Sequence, residues 1–359
     1  MWCCIRNKLM FCGLIVRQVG QQFTLGIKDH CHSGKPGQLT LATLVTQVRE
    51  KAADQLFAPA SQIVDQALID NITDAPIPLV LLARGKRWYL DATFKVVKAP
   101  FTQLFSIHCF VKKGNSTKQV PLVFVLMSGK KKRDYIAVLQ AVQDLLPGDI
   151  CLEEVLVHFE HALWKAMEAV FPNVVIKGCC LHWKQAVWRK IQETGLQPAY
   201  MEKADVYRLL SNLMGLPFLP AEFIHPMFQS LRRKAGTPML QRVFDYVAAT
   251  WITGPVWPPT TWSCYGQSIR TNNDCEGWHL RLLTKARKIK VPMYLLIKVL
   301  HDEALFVEVQ VKLVSEHKLK KHQRKIYRKT QRLVFRYWGE FADGERSAKS
   351  LLHACACLF

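Results

Sequence analysis

Between residues 76 and 193 the spacing of apolar side chains changes period in a fixed order, and that order limits the fold more than any other feature of the chain. Trp88 to Phe94, Leu104 to Val111 and Val120 to Met127 are rich in the aromatic and β-branched residues that suit a pleated strand. In the second run Phe105, Ile107, Cys109 and Val111 alternate onto one face. The third is apolar on both faces and is expected to be central in its sheet. Tyr135, Val138, Leu139, Val142, Leu145 and Leu146 then recur at helical spacing until Pro147-Gly148 stops them. A strand over Glu154–Phe159, a helix to Val170 and a strand over Val174–Lys177 complete the series. Three strands, helix, strand, helix, strand predict an α/β layer.

One acid interrupts the first of these strands. Asp disfavours the pleated state that Trp88, Tyr89, Thr93 and Phe94 favour, so Asp91 calls for an explanation. Either it caps a turn at a strand end, or a rigid strand holds its carboxylate to bind a hard divalent cation.

The charge balance narrows the partner. There are 49 Lys and Arg against 28 Asp and Glu, a net charge of +21, which points to a polyanion, with DNA or RNA ahead of an anionic membrane surface. No apolar run reaches the ~18–20 residues that span a bilayer, so no membrane partner is expected. The excess is concentrated. From Lys312 to Arg336 there are ten basic residues against one acid, Glu316. Leu319, Ile326 and Leu333 recur every seven residues there, so Lys318, Lys320, Lys321, Arg324, Lys325, Arg328, Lys329 and Arg332 are expected on the outer face of one long helix, as phosphate contacts. Lys130, Lys131, Lys132 and Arg133 form a second cluster.

At the N-terminus Cys4, Cys12, His30 and His32 follow in the order of a tetrahedral Zn²⁺ ligand set, with a gap long enough for a small hairpin; Cys3 and Cys31 are alternative ligands. Twelve cysteines without a secretory signal fit a reducing compartment, where thiols pack in cores or hold metal. Residues 40–75 read as a connector of two amphipathic helices. Residues 194–265 are helical in bias but broken by prolines, a helical insertion in the α/β layer of 76–193. An Asn/Asp-rich cap and helix return over 266–290, basic helices follow over 291–345, and 346–359 is left as a tail.

Taken in order, Trp88-x-x-Asp91-x-Thr93-Phe94, Val157-His158-Phe159-Glu160, Phe171-Pro172, Gly178-Cys179-x-x-His182 and Asn273-x-x-Glu276-Gly277-Trp278-His279 resemble the transposase domain of the MULE (Mutator-like) superfamily. The array over residues 1–39 likewise resembles a truncated FLYWCH-type zinc finger. The first resemblance implies an RNase H-like fold with a DDE triad that binds two Mg²⁺ or Mn²⁺ ions, Asp91 matching the first acid and Glu276 the third. At the second acid this chain has His158. Paired hard cations need anionic oxygen ligands, whereas an imidazole is neutral and suits Zn, Ni or Cu. Glu160 shares the strand face of His158, but the next helix is expected to turn it elsewhere. Cys179 and His182 would belong to a Cys-x-x-His element beside the site, as metal ligands or as structural side chains.

The expectation is therefore a nuclear, transposon-derived DNA-binding protein, able to form a homo-oligomer, with strand transfer lost or impaired by His158. The alternative is an active divalent-metal-dependent transposase.

Overall fold

The computed structural model describes residues 77–114, 116–202, 204–286, 290–316 and 325–358, with the backbone of 2–6, 10–19 and 22–25 and a few helical positions between 46 and 53. The chain divides into two compact units, 1–71 and 72–359. In the first, β1 (Trp2–Arg6), β2 (Met10–Val19) and β3 (Gln22–Leu25) form an antiparallel sheet in that order. Cys4 lies on β1 and Cys12 on β2. His30 and His32, the other half of the expected zinc set, lie outside the described residues.

The second unit opens with α1 (Ile77–Ala83), β4 (Arg87–Thr93), β5 (Gln103–Lys113) and β6 (Ser116–Met127). It continues with α2 (Lys132–Leu145), β7 (Glu154–Val157), α3 (His161–Val170) and β8 (Val175–Gly178). The sheet order is β6-β5-β4-β7-β8, with β4 antiparallel to β5 and parallel to β7. This is the mixed α/β layer that the periodicity predicts.

Strand β6 corrects one expectation: it is an edge, not the centre, and β4 holds the middle. Burial on both faces misled because helices, rather than strands, cover it. The long helix α11, described below, reaches apolar clusters on both sides of the sheet, through Leu296 and Leu300 on one and Val307 on the other. Pro121, which has no N–H to offer a ladder, sits in β6 opposite His108 at a register shift, a place that edges tolerate.

Period-two alternation sorts the sheet into two faces. Trp88, Leu90, Phe105, Ile107, Val155 and Val157 pack on α2 and α3. Trp88 is fully buried, donates its indole N–H to the Leu82 carbonyl at 3.0 Å and meets Phe171 edge to face. Tyr89, Asp91, Leu104, Ser106, His108 and Leu156 take the opposite parity and face the later helices.

Those begin with α4 (Cys180–Glu193), α5 (Gln197–Met201), α6 (Asp205–Gly215), α7 (Ala221–Arg232), α8 (Pro238–Val247) and α9 (Pro259–Trp262). Then come α10 (Asn273–Ala286), α11 (Met293–Ser315), α12 (Lys325–Ala342) and α13 (Ala348–Ala356). Trp183, Trp251, Trp262, Phe218, Phe228 and Phe244 make a second core among α4 to α9, which Trp338 of α12 and Leu351 and Cys355 of α13 complete. Two further expectations change here. Residues 346–359, read as a tail, supply a helix whose Leu351 and Cys355 are fully buried. The single long basic helix is two described helices, α11 ending at Ser315 and α12 beginning at Lys325, with 317–324 outside the described residues.

Candidate functional site

Four elements end in one place. Strands β4 and β7 run parallel, so their carboxyl ends lie side by side, the edge where α/β sheets gather functional groups. Asp91 is on β4, and the chain leaves β7 directly into His158. Strand β8, parallel to β7, ends at Gly178 and turns through Cys179 into α4, which carries His182. The first turn of α10 brings Glu276, with His279 one turn further on the same face.

The side chains stand as pairs. His158 Nδ1 is 3.9 Å from Asp91 Oδ1, and His182 Nε2 is 3.3 Å from Glu276 Oε1. The two imidazole centroids are 6.0 Å apart. His279 Nδ1 lies 3.6 Å from Asp91 Oδ2, and Asp91 Oδ1 also accepts the Ala92 N–H at 3.0 Å. Asp91 and Glu276 are near enough for the charge of one to raise the pKa of the other. Among the described residues, no three or more His, Cys, Asp or Glu side chains are gathered so as to hold a metal ion.

Around these pairs runs a shell of hydrogen bonds. His158 Nε2 is 3.0 Å from Glu160 Oε2, and the Tyr135 hydroxyl donates to Glu160 Oε1 at 3.1 Å. The Tyr135 oxygen accepts in turn from Gln103 Nε2 at 2.8 Å. On the other flank the Ser106 hydroxyl is 2.9 Å from His108 Nε2 and 3.4 Å from His279 Nε2. Glu160 corrects the sequence reading in part: α3 does begin beside it, yet its carboxylate turns back to bond His158 instead of pointing away.

Burial dominates the electrostatics. It pushes the Asp91 carboxyl up to about 6, against the pull of His158 and the Ala92 N–H, and Glu276 adds to the rise. Burial also raises Glu276 and lowers His182 and His279 to about 4, for His182 with the charges of His158 and Arg189 in support. Both of these imidazoles are thus neutral at pH 7. For Glu160, burial is outweighed by the hydrogen bond and charge of His158 and by Tyr135, and the carboxyl falls below its usual value.

Cys179 does not join His182. Its sulfur accepts the Asn272 N–H at 3.3 Å, and burial pushes its thiol up to about 12. Asn272, which the sequence reading passed over as part of a cap, is fully buried and ties three of the four elements together: its side-chain amide donates to the Leu90 carbonyl of β4 at 3.1 Å, and its own carbonyl accepts the Glu276 N–H. Asn272→Ala is expected to cost about 1–3 kcal/mol, the usual loss when a buried partner is removed, as read from urea melts. A change under about 0.5 kcal/mol would show that the junction is held without it. His279 was within reach of the sequence, three residues after Glu276 on a helix.

The basic residues fall on two surfaces. Lys130, Lys131, Lys132 and Arg133 are all exposed at the start of α2, and the charge of Lys130 reaches Glu160, so this cluster flanks the site. On α12, Val334 and Trp338 are buried while Arg328, Lys329 and Arg332 are exposed and, with Leu333, line a cavity of ≈ 420 Å³. Lys318, Lys320, Lys321 and Arg324 lie outside the described residues, and of Lys325 only the backbone is described.

A mixed five-stranded α/β sheet with acid and imidazole side chains at the carboxyl ends of its central strands is compatible with an α/β transposase domain. Residues 87–186 match a protein-family model described as the MULE transposase domain. The matched stretch runs from β4 into α4, takes in Asp91, His158 and His182, and includes neither Glu276 nor the N-terminal array expected to form a FLYWCH-type finger. It suggests a transposon-derived protein. No curated protein matches the chain. Among the described residues no helix is long and apolar enough to cross a membrane.

Proposed function

We propose that the chain is a transposon-derived DNA-binding protein on an RNase H-like core, located in the nucleus, with DDE strand-transfer chemistry lost or strongly weakened. The observation that carries this reading is His158: it stands at the end of β7 beside Asp91, where paired cation chemistry asks for an anionic oxygen. Asp91 and Glu276 supply oxygens, but the third corner is an imidazole nitrogen, and Glu160 is engaged with His158 and Tyr135. The donor set does not fit two Mg²⁺ ions. DNA would lie along the exposed cations of α2 and α12, as a continuous polyanion beside the site; a zinc finger on Cys4, Cys12, His30 and His32 would add a second contact.

Two measurements test this. Duplex binding is expected to fall steeply with salt, and the triple substitution Arg328→Ala, Lys329→Ala, Arg332→Ala should flatten the log–log salt slope by about 2–3, near 0.9 per lost phosphate contact. Binding that ignores salt, or a triple variant with the wild-type slope, would remove DNA as the partner of this face. In a cleavage assay with Mn²⁺ and transposon-end DNA, wild type is expected to be inactive and His158→Asp to gain activity. Wild-type cleavage that Glu276→Ala abolishes would establish an active transposase instead.

A further inference from the structure

We propose that Phe94 and Lys130 form a stacking platform for an unpaired base of a DNA strand, beside the acid and imidazole pairs. The inference deepens the reading above and rests on its DNA partner. Three features of this corner of the molecule carry it.

The first is how the ring is mounted. The chain leaves β4 at Thr93 and passes directly into Phe94, which is 51 % exposed and so forgoes the gain that burying a phenyl ring would bring. The loop that carries it is not loose. Val96 and Val97 are buried in one apolar cluster with Leu104, Trp278 and Val291. The Lys290 and Val291 N–H groups donate to the carbonyls of Lys95 and Val96 at 2.9 and 3.0 Å. A loop that buries two valines thus holds the larger Phe94 outside, on the rigid support that a recognition side chain requires.

The second is what surrounds the ring. Lys130 Nζ lies 5.4 Å from the Phe94 ring centroid, a cation set over an aromatic face. Lys95 and Lys98 are exposed on the same loop, Lys290 on the segment bonded to it, and Lys131, Lys132 and Arg133 follow Lys130. Within 94–98 and 128–134 the one acid is Asp134, whose carboxylate accepts the Lys131 N–H at 2.8 Å and lies 3.6 Å from Arg133 Nε. A ring among cations is the combination that holds single strands, the ring taking a base face and the cations the phosphates. A membrane surface or an apolar protein partner would call for more exposed apolar side chains, and this loop buries its valines.

The third is position. Phe94 lies three residues beyond Asp91, and the charge of Lys130 reaches Glu160, which is bonded to His158 at 3.0 Å. A strand seated on the platform therefore lies next to the acid and imidazole pairs. Inside a duplex both faces of each base are covered by its neighbours, so the ring can take only a base that is unpaired or at a frayed end.

The test uses the full chain and fluorescence anisotropy with labelled probes of one sequence: a blunt duplex, the duplex with a single-stranded overhang, and the same overhang without bases. Wild type is expected to bind the overhang probe more tightly than the blunt one. Phe94→Ala should weaken binding to the overhang by about 5- to 150-fold, the range for one stacked base, and change blunt-duplex binding by less than about 2-fold. The baseless overhang should bind wild type and Phe94→Ala alike. Phe94→Trp should keep the preference for the overhang, and Phe94→Leu, apolar but without a ring, should lose it. Melting checks that each variant folds; if Phe94→Ala does not, Phe94→Leu carries the comparison. Equal losses on blunt and overhang probes, or a Phe94→Trp as weak as Phe94→Ala, would overturn the platform, and tighter binding of an RNA overhang would overturn its assignment to DNA. Salt-dependent binding of every probe with no dependence on Phe94 would sink the platform and spare the DNA reading, whereas no salt-dependent binding to any probe would sink both.

Discussion

Glu303→Ala is expected to lower the unfolding free energy by about 2–4 kcal/mol, the largest effect of any single polar substitution that the structure supports. Glu303 lies on α11 and is 1 % exposed. Its Oε2 accepts the Trp278 indole N–H at 2.7 Å and Arg281 Nη2 at 2.5 Å, and its Oε1 is 2.9 Å from Lys285 Nζ. All three partners are on α10, so one carboxylate fastens the helix that carries Glu276 and His279. Removing it strands two cations and an indole donor. The Arg281 side chain is 37 % exposed and Lys285 25 %, so water can recover part of the loss, which is why the figure sits below the 3–5 kcal/mol typical of a fully buried pair. Trp278→Phe removes the indole donor and trims a buried ring that stacks on Phe124, and should cost about 1–2 kcal/mol. Urea melts of both variants check the ranking. If Glu303→Ala melts within 1 kcal/mol of wild type, apolar contacts with Leu282, Leu296 and Leu300 hold α10 unaided.

Gly178→Ala should be the second severe change, costing about 3 kcal/mol. A Cβ at that position would lie 2.2 Å from two carbons of the Phe159 ring. Such overlap is harmless only if the neighbour can yield, and Phe159 cannot. Its ring is stacked on Trp164 at 6.0 Å and set edge-on against Trp251 at 4.6 Å and Trp257 at 5.7 Å. The methyl would have to push apart the end of β7, which leads to His158, and the end of β8, which leads to Cys179 and His182. Gly178 thus stands at the head of the Gly-Cys-x-x-His run because the two strand ends approach too closely for any side chain. Phe159→Leu in the Gly178→Ala background tests the clash directly: recovery of at least a third of the lost stability is expected, and none would show that the backbone itself resists alanine.

The legibility of the site followed the range of the interactions. Asp91 stood out because an acid breaks the composition of a strand, and His158 because the ordered motifs around it left an expected acid unfilled. Both signals are local. Asn272, Tyr135 and Glu303 gave no comparable signal, since each acts through a partner many positions away: Asn272 through Leu90, Tyr135 through Glu160, Glu303 through Trp278. Cys179 and His182 part company because Cys179 is the extended residue before the helix, its sulfur at the Asn272 N–H, whereas His182 sits in the first helical turn beside Glu276.

By itself the sequence determined the five strands and most of the helices of the α/β layer, because period and composition report burial one element at a time. It also determined the basic character and the substitution at position 158. Tertiary structure alone decided that β6 lies at the edge, since helices on both faces bury a strand as thoroughly as neighbouring strands do. It alone decided that residues 348–356 dock as a core helix. Those outcomes depend on which surfaces meet, a property of pairs of distant segments that no single window of the chain contains.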